Sequence, residues 1–131
     1  MANKKYLKMD GIMGGATDAG HAGEIKVLSY QIPANGLGNR DGVLRDFSFE
    51  KDMDISSAAL QLACSTATRI SKVVLTEEQF NGSSYPFQKV EILEMTDVGI
   101  VSFQPGHTPG VGARPVERVT LEASSFKLKY K

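Results

Sequence analysis

Two histidines, one cysteine and a few acidic residues are the side chains of this sequence that suit catalysis or metal binding. Asp18 and His21 lie close together in a glycine-rich stretch, with Asp10 a short distance upstream. A metal site needs several His, Cys, Asp or Glu groups that converge on one point. The stretch is therefore a candidate metal or acid–base cluster. It has no nucleophile and no third catalytic residue at a spacing that would be diagnostic of an active site. The favoured interpretation is a hydrogen-bonded turn, in which Asp18 accepts backbone amides and His21 packs over them.

Cys64 is the only cysteine, which excludes an intramolecular disulfide and a cysteine-based zinc site. It lies near the end of a predicted helix, where the helix dipole disfavours a thiolate. We therefore expect a buried structural cysteine rather than a nucleophile paired with His21 or His107. The glycine-rich residues 106–112 lack the Gly-Lys-Ser/Thr ending of a phosphate loop and are predicted to form a surface loop. The sequence thus contains no motif that is diagnostic of a cofactor site, a metal site or an enzyme.

The composition is that of one globular domain spanning residues 1–131, with 41% apolar and 23% charged residues. Fifteen basic and 15 acidic residues give zero net charge, so no basic field attracts nucleic acid or anionic lipid. No apolar run reaches the ~18–20 residues of a membrane helix. No apolar stretch follows Lys4, Lys5 and Lys8 as it would in a signal peptide. We expect a chain made in the cytoplasm that enters no membrane and that, if exported, keeps its N-terminus.

Alternation of apolar and polar residues predicts a mostly β structure. The apolar phase changes between Val27 and Leu28, which predicts a β-bulge inside one strand. It changes again at Ser124-Ser125, and Asn81-Gly82 predicts a hairpin turn. The alternating runs are residues 6–9, 24–32, 45–49, 72–76, 90–103, 119–123 and 126–130.

One segment has helical periodicity instead. Ile55, Ala58, Ala59 and Leu62 are spaced i, i+3, i+4 and i+7, and Asp54 precedes them as a candidate N-cap. These features predict a helix from about residue 56 to about residue 66. Strands of this kind bury their apolar faces in two packed sheets or a barrel. The alternation and the helical segment therefore predict a mostly antiparallel β domain, in two sheets or a closed barrel, with a single short helix to cap an open edge or end.

Two stretches carry a family resemblance. Asp10 to Tyr30 reads DGIMGGATDAGHAGEIKVLSY, with a glycine turn, Thr-Asp, His, an acidic residue, an aliphatic, a charged residue, Val-Leu and an aromatic. Arg45 to Thr68 reads RDFSFEKDMDISSAALQLACSTAT, with an aromatic-Ser-aromatic strand, a basic residue, Asp, a short helix and Ala-Cys. In this order and spacing they resemble the haemolysin-coregulated protein (Hcp) family, the inner tube of the bacterial type VI secretion system. The order of the later strands agrees as well.

The resemblance implies a mainly β fold, a two-sheet antiparallel β-barrel with one short flanking α-helix that is similar to phage tail-tube proteins. It implies no enzymatic activity, no catalytic residues, no cofactor and no metal. It implies hexameric rings with a wide channel that stack into a tube, which a contracting sheath drives out of the cell. Implied partners are other copies of the chain, spike, sheath and baseplate proteins, and small effectors carried in the channel. The segment from Pro33 to Val43, an extended loop reaching the next ring in this family, is short here. The chain also ends at Tyr130-Lys131, where many relatives continue with a polar tail. The short segment from Pro33 to Val43 weakens the expected stacking of rings and leaves the expected ring formation unaffected.

The family's architecture, combined with alternation, gives candidate contact residues. Ser29 and Gln31, on the opposite face from Leu28, Tyr30 and Ile32, are predicted to line the channel. Lateral contacts are predicted at Lys127, Lys129 and the strand from Arg45 to Phe49. Axial contacts are predicted in the turn at residues 14–20, in residues 106–114 with His107, and in the loop that contains Asn35, Leu37, Asn39, Arg40 and Asp41.

Two other classes of function remain open at this stage. A small β-sandwich adaptor would bind a protein partner as a monomer. A metal-binding or hydrolytic domain would use Asp18 and His21, and would need them in a concave pocket. The mass of the protein in solution distinguishes a hexamer from either alternative.

Overall fold

A computed structural model describes residues 4–18, 20–32, 43–79, 88–107 and 115–129, with side chains at all of these except 79, 88–91, 106 and 107. It contains seven strands and one helix in these residues. Their bounds are β1 Lys4–Met9, β2 Ile25–Val27, β3 Ser29–Gln31, β4 Leu44–Asp52, α1 Ser57–Ser65, β5 Ile70–Gln79, β6 Gln88–His107 and β7 Val116–Leu128.

The seven strands form one antiparallel sheet in the order β2-β1-β5-β6-β7-β4-β3. The two strands at the ends of this order, β2 and β3, are consecutive in the sequence and separated by Leu28 alone. The sheet therefore curls into a nearly closed barrel, and the chain crosses the remaining seam at Leu28. There the N–H of Leu28 donates to the carbonyl of Glu50 across 2.8 Å. The predicted antiparallel β-barrel with one short helix is confirmed.

The phase change at Val27-Leu28 has another cause than the predicted bulge. Val27 pairs with Lys5 of β1, whereas Ser29 pairs with Glu50 of β4. The chain thus changes its strand partner at Leu28, and the side chain of Leu28 is 48% exposed. A bend at which the chain leaves one partner strand for another shifts the apolar–polar alternation, as an extra residue in a single strand does. The change of phase is therefore real, but the predicted β-bulge is wrong.

Irregular pairing occurs elsewhere in the barrel. The register shifts between Leu75 and Thr76 in β5, between Ile100 and Ser102 in β6, and between Leu44 and Phe47 in β4. Such shifts increase the local twist, which helps a long antiparallel sheet to close on itself. The predicted phase change at Ser124-Ser125 does not divide the last strand, because β7 is continuous through it. The predicted turn at Asn81-Gly82 lies outside the described residues, between the antiparallel partners β5 and β6.

One apolar cluster fills the barrel, with residues from every strand except β3 and from the helix. Phe47, Phe49, Leu75 and Leu121 are among its buried members. Tyr30 of β3 packs against it from the seam and lies with its ring 6.2 Å from that of Phe47. The long ladder between β6 and β7 forms the back of the barrel, opposite the seam in the order of strands.

The helix occupies residues 57–65, within the range that the sequence predicts. Asp54 accepts from the backbone N–H of Ser56 across 2.8 Å, as a capping carboxylate does, although Ser56 is the residue that directly precedes the helix. The buried face of the helix consists of Leu60 and Ala63. The predicted apolar stripe of Ile55, Ala58, Ala59 and Leu62 instead faces outward. No helix among the described residues has the length and apolarity to cross a membrane.

A buried lysine anchors the helix to the barrel. Lys51 of β4 is 0% exposed, and its Nζ lies 2.6 Å from Glu117 of β7 and 3.0 Å from Asp54. The hydroxyl of Ser57 donates to the same Glu117 carboxylate across 2.8 Å. Two adjacent strands and the first residue of the helix therefore share one network, which fixes where the helix begins.

Candidate functional site

The segment between β1 and β2 folds back over the outer face of β1. Backbone hydrogen bonds hold it there, from the N–H of Gly14 to Gly23 (2.8 Å), of Ala16 to Glu24 (3.0 Å) and of Gly23 to Ala16 (3.0 Å). Gly14 lies against the backbone of Glu24 so closely that a Cβ there would overlap the Glu24 carbonyl. Glycine is therefore required at this crossing, and the crossing brings the candidate residues of this stretch onto the barrel wall.

His21 is the buried centre of this segment, with 1% of its side chain exposed. Its ring stacks on that of Tyr6, with centroids 3.8 Å apart and planes within 4° of parallel. Nδ1 contacts Glu24 Oε1 at 2.9 Å, and Nε2 contacts Glu78 Oε1 of β5. Each ring nitrogen therefore faces a carboxylate oxygen, one of Glu24 and one of Glu78. The arrangement fixes the imidazole on both sides and leaves neither nitrogen for a substrate.

Asp18 has a separate set of partners. It accepts a hydrogen bond from the hydroxyl of Tyr6 and lies 3.3 Å from Nζ of Lys26. The hydrogen bond from Tyr6, with that from Lys26, holds the pKa of the Asp18 carboxyl below its usual range. Burial and the hydrogen bond to Asp18 raise the pKa of the Tyr6 hydroxyl. Asp18 is therefore an anionic acceptor that fixes Tyr6, which leaves it poorly suited to act as a base.

The three candidates for chemistry do not converge. Asp10 accepts from the hydroxyl of Ser71 across 3.2 Å, apart from the partners of Asp18 and His21. Within the described part of the chain, no three His, Cys, Asp or Glu groups are placed to hold a metal ion. A hydrogen-bonded turn is present here, since the backbone N–H of His21 donates to the backbone carbonyl of Asp18 across 2.9 Å. The Asp18 carboxylate accepts from the Tyr6 hydroxyl, and the His21 ring stacks on Tyr6.

Cys64 is partly buried against the core at the end of the helix, rather than fully buried as predicted. His21, one of its two proposed partners, has both nitrogens engaged by carboxylates. His107 ends β6, where its backbone pairs with Val116, and its side chain lies outside the described atoms. The geometry therefore does not support a catalytic pair of Cys64 and His21.

The predicted channel residues lie on the outside of the barrel. Ser29 and Gln31 of β3 are both exposed, and the Ser29 hydroxyl donates to Glu50 across 3.0 Å. Tyr30 between them points inward and is partly buried, as alternation predicts, whereas Leu28 is exposed. A shallow recess of about 80 Å³ lies here, lined by Ser29, Tyr30, Gln31, Ser48, Phe49, Glu50 and Arg118.

The predicted lateral residues lie on two different parts of the barrel wall. Arg45 is exposed on β4, whereas Phe47 and Phe49 of the same strand are core residues. Lys127 is exposed on β7, in register with Glu94 of β6. The Lys129 Nζ lies 3.2 Å from Glu94, and the hydrogen bond between them, outweighing burial, holds the pKa of Glu94 below its usual range.

The predicted stacking loop lies outside the described residues. This applies to Asn35, Leu37, Asn39, Arg40 and Asp41.

Two features of the site were missed at the level of sequence. Glu78, which contacts His21, lies 57 residues away along the chain, and no local pattern connects the two. Lys51 was identified only as the basic residue of the second stretch, yet it is fully buried. Its neighbour in register, Glu117, has the opposite charge, so a cross-strand pair would have been the signal once the pairing of β4 and β7 was known.

Comparisons with known proteins agree with this fold. Residues 6–130 match the family described as "Type VI secretion system effector, Hcp". The structure of Hcp1 from Salmonella typhimurium is 26% identical with a TM-score of 0.80, over 100% of this chain and 87% of that one. Hcp2 from Salmonella typhimurium is 28% identical with a TM-score of 0.65, over 90% and 79% of the two chains. Secreted protein Hcp3 from Pseudomonas aeruginosa, 17% identical with a TM-score of 0.73 over 92% and 85%, shares the fold. No curated protein sequence matches this chain.

Proposed function

Because this chain belongs to the Hcp family of type VI secretion proteins, we propose that its copies close into hexameric rings that stack into the inner tube. The family consists of secreted structural tube proteins that assemble with themselves, and it is not a family of enzymes. The observation that carries the proposal is the family match over residues 6–130 on a nearly closed barrel of the same fold. The tube is made in the cytoplasm and leaves without a cleaved signal peptide, together with spike and effector proteins and driven by the sheath and baseplate.

The outer surface of β3 and β4 is the wall that we propose for the channel. Ser29 and Gln31 project from it, and Glu50 and Arg118 border the same recess. These side chains are polar and carry both signs of charge, which suits a water-filled channel that holds folded effectors without trapping them. Small effectors are therefore proposed to contact Ser29 and Gln31 during transport.

Two kinds of contact between copies complete the tube. A ring closes by a heterologous contact that repeats by rotation, and stacking repeats along the axis without closure. We assign Arg45, Lys127 and Lys129 to lateral contacts. We assign the loop with Asn35, Leu37, Asn39, Arg40 and Asp41, together with His107, to axial contacts.

Light scattering coupled to gel filtration tests ring formation directly. We expect the mass of a hexamer and, by electron microscopy, rings with a central opening. A strict monomer at high protein concentration contradicts the proposal and favours an adaptor that binds a partner as a single copy. Stacks of rings in the same images test the axial contacts separately.

The channel assignment has its own experiment. The variants Ser29→Cys and Gln31→Cys, labelled with a small gold cluster through maleimide in a Cys64→Ser background, are imaged as rings. We expect the label inside the central opening. The matched control Lys72→Cys, exposed on β5, has no channel role in this proposal. Labels of Ser29→Cys outside the ring would make the channel assignment wrong, whatever the ring's size.

A further inference from the structure

The segment that folds back over β1 covers a group of ionisable side chains. The side chains of His21, Glu24 and Glu78 are 1%, 10% and 17% exposed. Nδ1 of His21 lies 2.9 Å from Glu24 Oε1, and Nε2 contacts Glu78 Oε1. His21 and Glu24 belong to the segment, whereas Glu78 belongs to β5. These three side chains, called here the histidine cluster, therefore join the segment to the barrel wall.

The two contacts in the histidine cluster need two protons. A hydrogen bond between a ring nitrogen and a carboxyl oxygen requires one proton between the two atoms, and a neutral imidazole carries only one N–H. The second proton lies either on the other ring nitrogen or on one of the carboxyl groups. Without it, the lone pair of a ring nitrogen would face a carboxylate oxygen away from water, at a cost in free energy. The closed segment is therefore satisfied only with one proton more than a neutral histidine supplies.

The negative charges around the histidine cluster favour this extra proton. The ring of Tyr6 stacks on that of His21, so both rings lie in the same electrostatic environment. Burial raises the pKa of the Tyr6 hydroxyl, and the hydrogen bond to Asp18 and the charge of Asp18 raise it further. The charges of Glu78 and Glu24 act in the same direction. A field that keeps a proton on the tyrosine also favours a proton in the cluster beside it.

The lysines near the histidine cluster lie at its edges. Lys26 is 3.3 Å from the Asp18 carboxylate and 61% exposed, so water and salt screen its charge. Lys4 of β1 and Lys89 of β6 are in register with Glu78 on its two sides. The charged groups that meet the two ring nitrogens themselves are the carboxyls of the cluster.

We propose that the histidine cluster is a pH-dependent switch, which holds the segment on the barrel when it takes up a proton and releases it as the pH rises. In a released segment the carboxyls are ionised above about pH 5, and an ordinary histidine loses its proton near about pH 6.5. Closure is therefore favoured below about pH 6.5, and above it closure must take a proton from the solvent. The switch acts within one copy and so goes beyond the assembly proposed above. It fixes the shape of the turn at residues 14–20, for which axial contacts are predicted.

Hydrogen exchange of backbone amides tests the switch in the intact protein. The N–H groups of Gly14, Ala16 and Gly23 donate to carbonyls within the segment. Their protection, corrected for the intrinsic exchange rate at each pH, therefore measures how often the segment opens. We expect this protection to fall by up to about ten-fold per pH unit between about pH 6.5 and 8, as the release of one proton requires. Amides in the ladder between β6 and β7 should keep constant protection over the same range.

Glu78→Gln is the matched control, because it keeps the length of the side chain and adds N–H donors. The new amide can donate to Nε2 of a neutral imidazole while Nδ1 donates to Glu24, so closure needs no extra proton. The variant should therefore keep the same protection from about pH 6.5 to 8. Glu24→Gln relieves the other contact of His21 and gives the same comparison if Glu78→Gln does not fold.

Two results would overturn the switch. The first is constant protection of the segment in the wild type across this pH range. The second is an equal fall in the wild type and in the glutamine variant, because a group outside the histidine cluster would then control the opening. Both results leave the proposed assembly untouched, since exchange within the segment reports on the single chain.

Discussion

Lys51 donates to Glu117 across 2.6 Å within the barrel wall, where the two side chains are 0% and 5% exposed. The same ammonium group contacts Asp54 at 3.0 Å and the Ser57 hydroxyl at 3.2 Å, so each of its three donors has an acceptor. A buried ion pair contributes little by itself, but loss of one partner leaves a buried charge uncompensated. The pair therefore fixes the junction of two strands and the helix more than it adds net stability.

Lys51→Met should lower the free energy of unfolding by about 3–5 kcal/mol, because Glu117 would stay buried without its cation. The double variant Lys51→Met, Glu117→Leu should recover a large part of this loss, since apolar side chains of similar volume fill the same space. Urea unfolding followed by circular dichroism, at one fixed protein concentration, measures both values. A single variant within about 1 kcal/mol of the wild type would show that the network is not a stabilising unit.

The Asp54 carboxyl should make the free energy of unfolding depend on pH in the acid range. Burial opposes ionisation of its carboxyl, but hydrogen bonds from Ser56 and Lys51 outweigh burial and hold the pKa below its usual value. A lowered folded-state pKa gives stability that is present above about pH 4 and is lost as the pH falls through the folded-state pKa. Asp54→Asn should therefore flatten the fall in unfolding free energy below about pH 4, while it weakens the protein at neutral pH. If the unfolding free energy falls equally steeply with decreasing pH in the wild type and in Asp54→Asn, this role of Asp54 is contradicted.

Two glycines should differ in their tolerance of alanine. At Gly14 an added Cβ would overlap the backbone carbonyl of Glu24, which cannot move without displacing the segment. At Gly99 the nearest atom is the end of the Arg69 side chain, which can swing away. Gly14→Ala should therefore cost about 1–3 kcal/mol, and Gly99→Ala less than about 1 kcal/mol. Thermal melts of the two variants provide the comparison. A larger loss of stability in Gly99→Ala than in Gly14→Ala would show that Gly14 does not lie tightly against the Glu24 carbonyl.

His21→Phe should loosen the segment over β1. Phenylalanine can still stack on Tyr6, but Glu24 and Glu78 both lose the ring nitrogen that they contact, at a cost of about 1–3 kcal/mol. Tyr6→Phe removes only the hydrogen bond to Asp18 and should cost about 1 kcal/mol. Hydrogen exchange at the amides of the segment should rise more in the first variant than in the second. Equal protection in the two variants would mean that the carboxylates do not hold the histidine in place.

Much of the fold was readable from the sequence because its signals are local. Alternation located the strands, since neighbouring side chains in a strand point to opposite faces. Helical spacing placed the helix α1 within two residues of its observed limits, 57 and 65. The motif at residues 10–30 and the second stretch at residues 45–68 indicated the family, and the match over residues 6–130 agrees.

Only the tertiary structure decided how these elements use their side chains. At Leu28 the sequence shows a change of phase, but whether the chain bulges or changes partner depends on which strands lie beside it. Lys51 is polar in any local pattern, and its burial follows from Glu117, 66 residues away. The stripe containing Ile55 and Leu62 has the spacing of a buried helix face, yet the barrel covers Leu60 and Ala63 instead. Periodicity determines which side chains share a face, whereas the packing of distant strands determines which face meets the core.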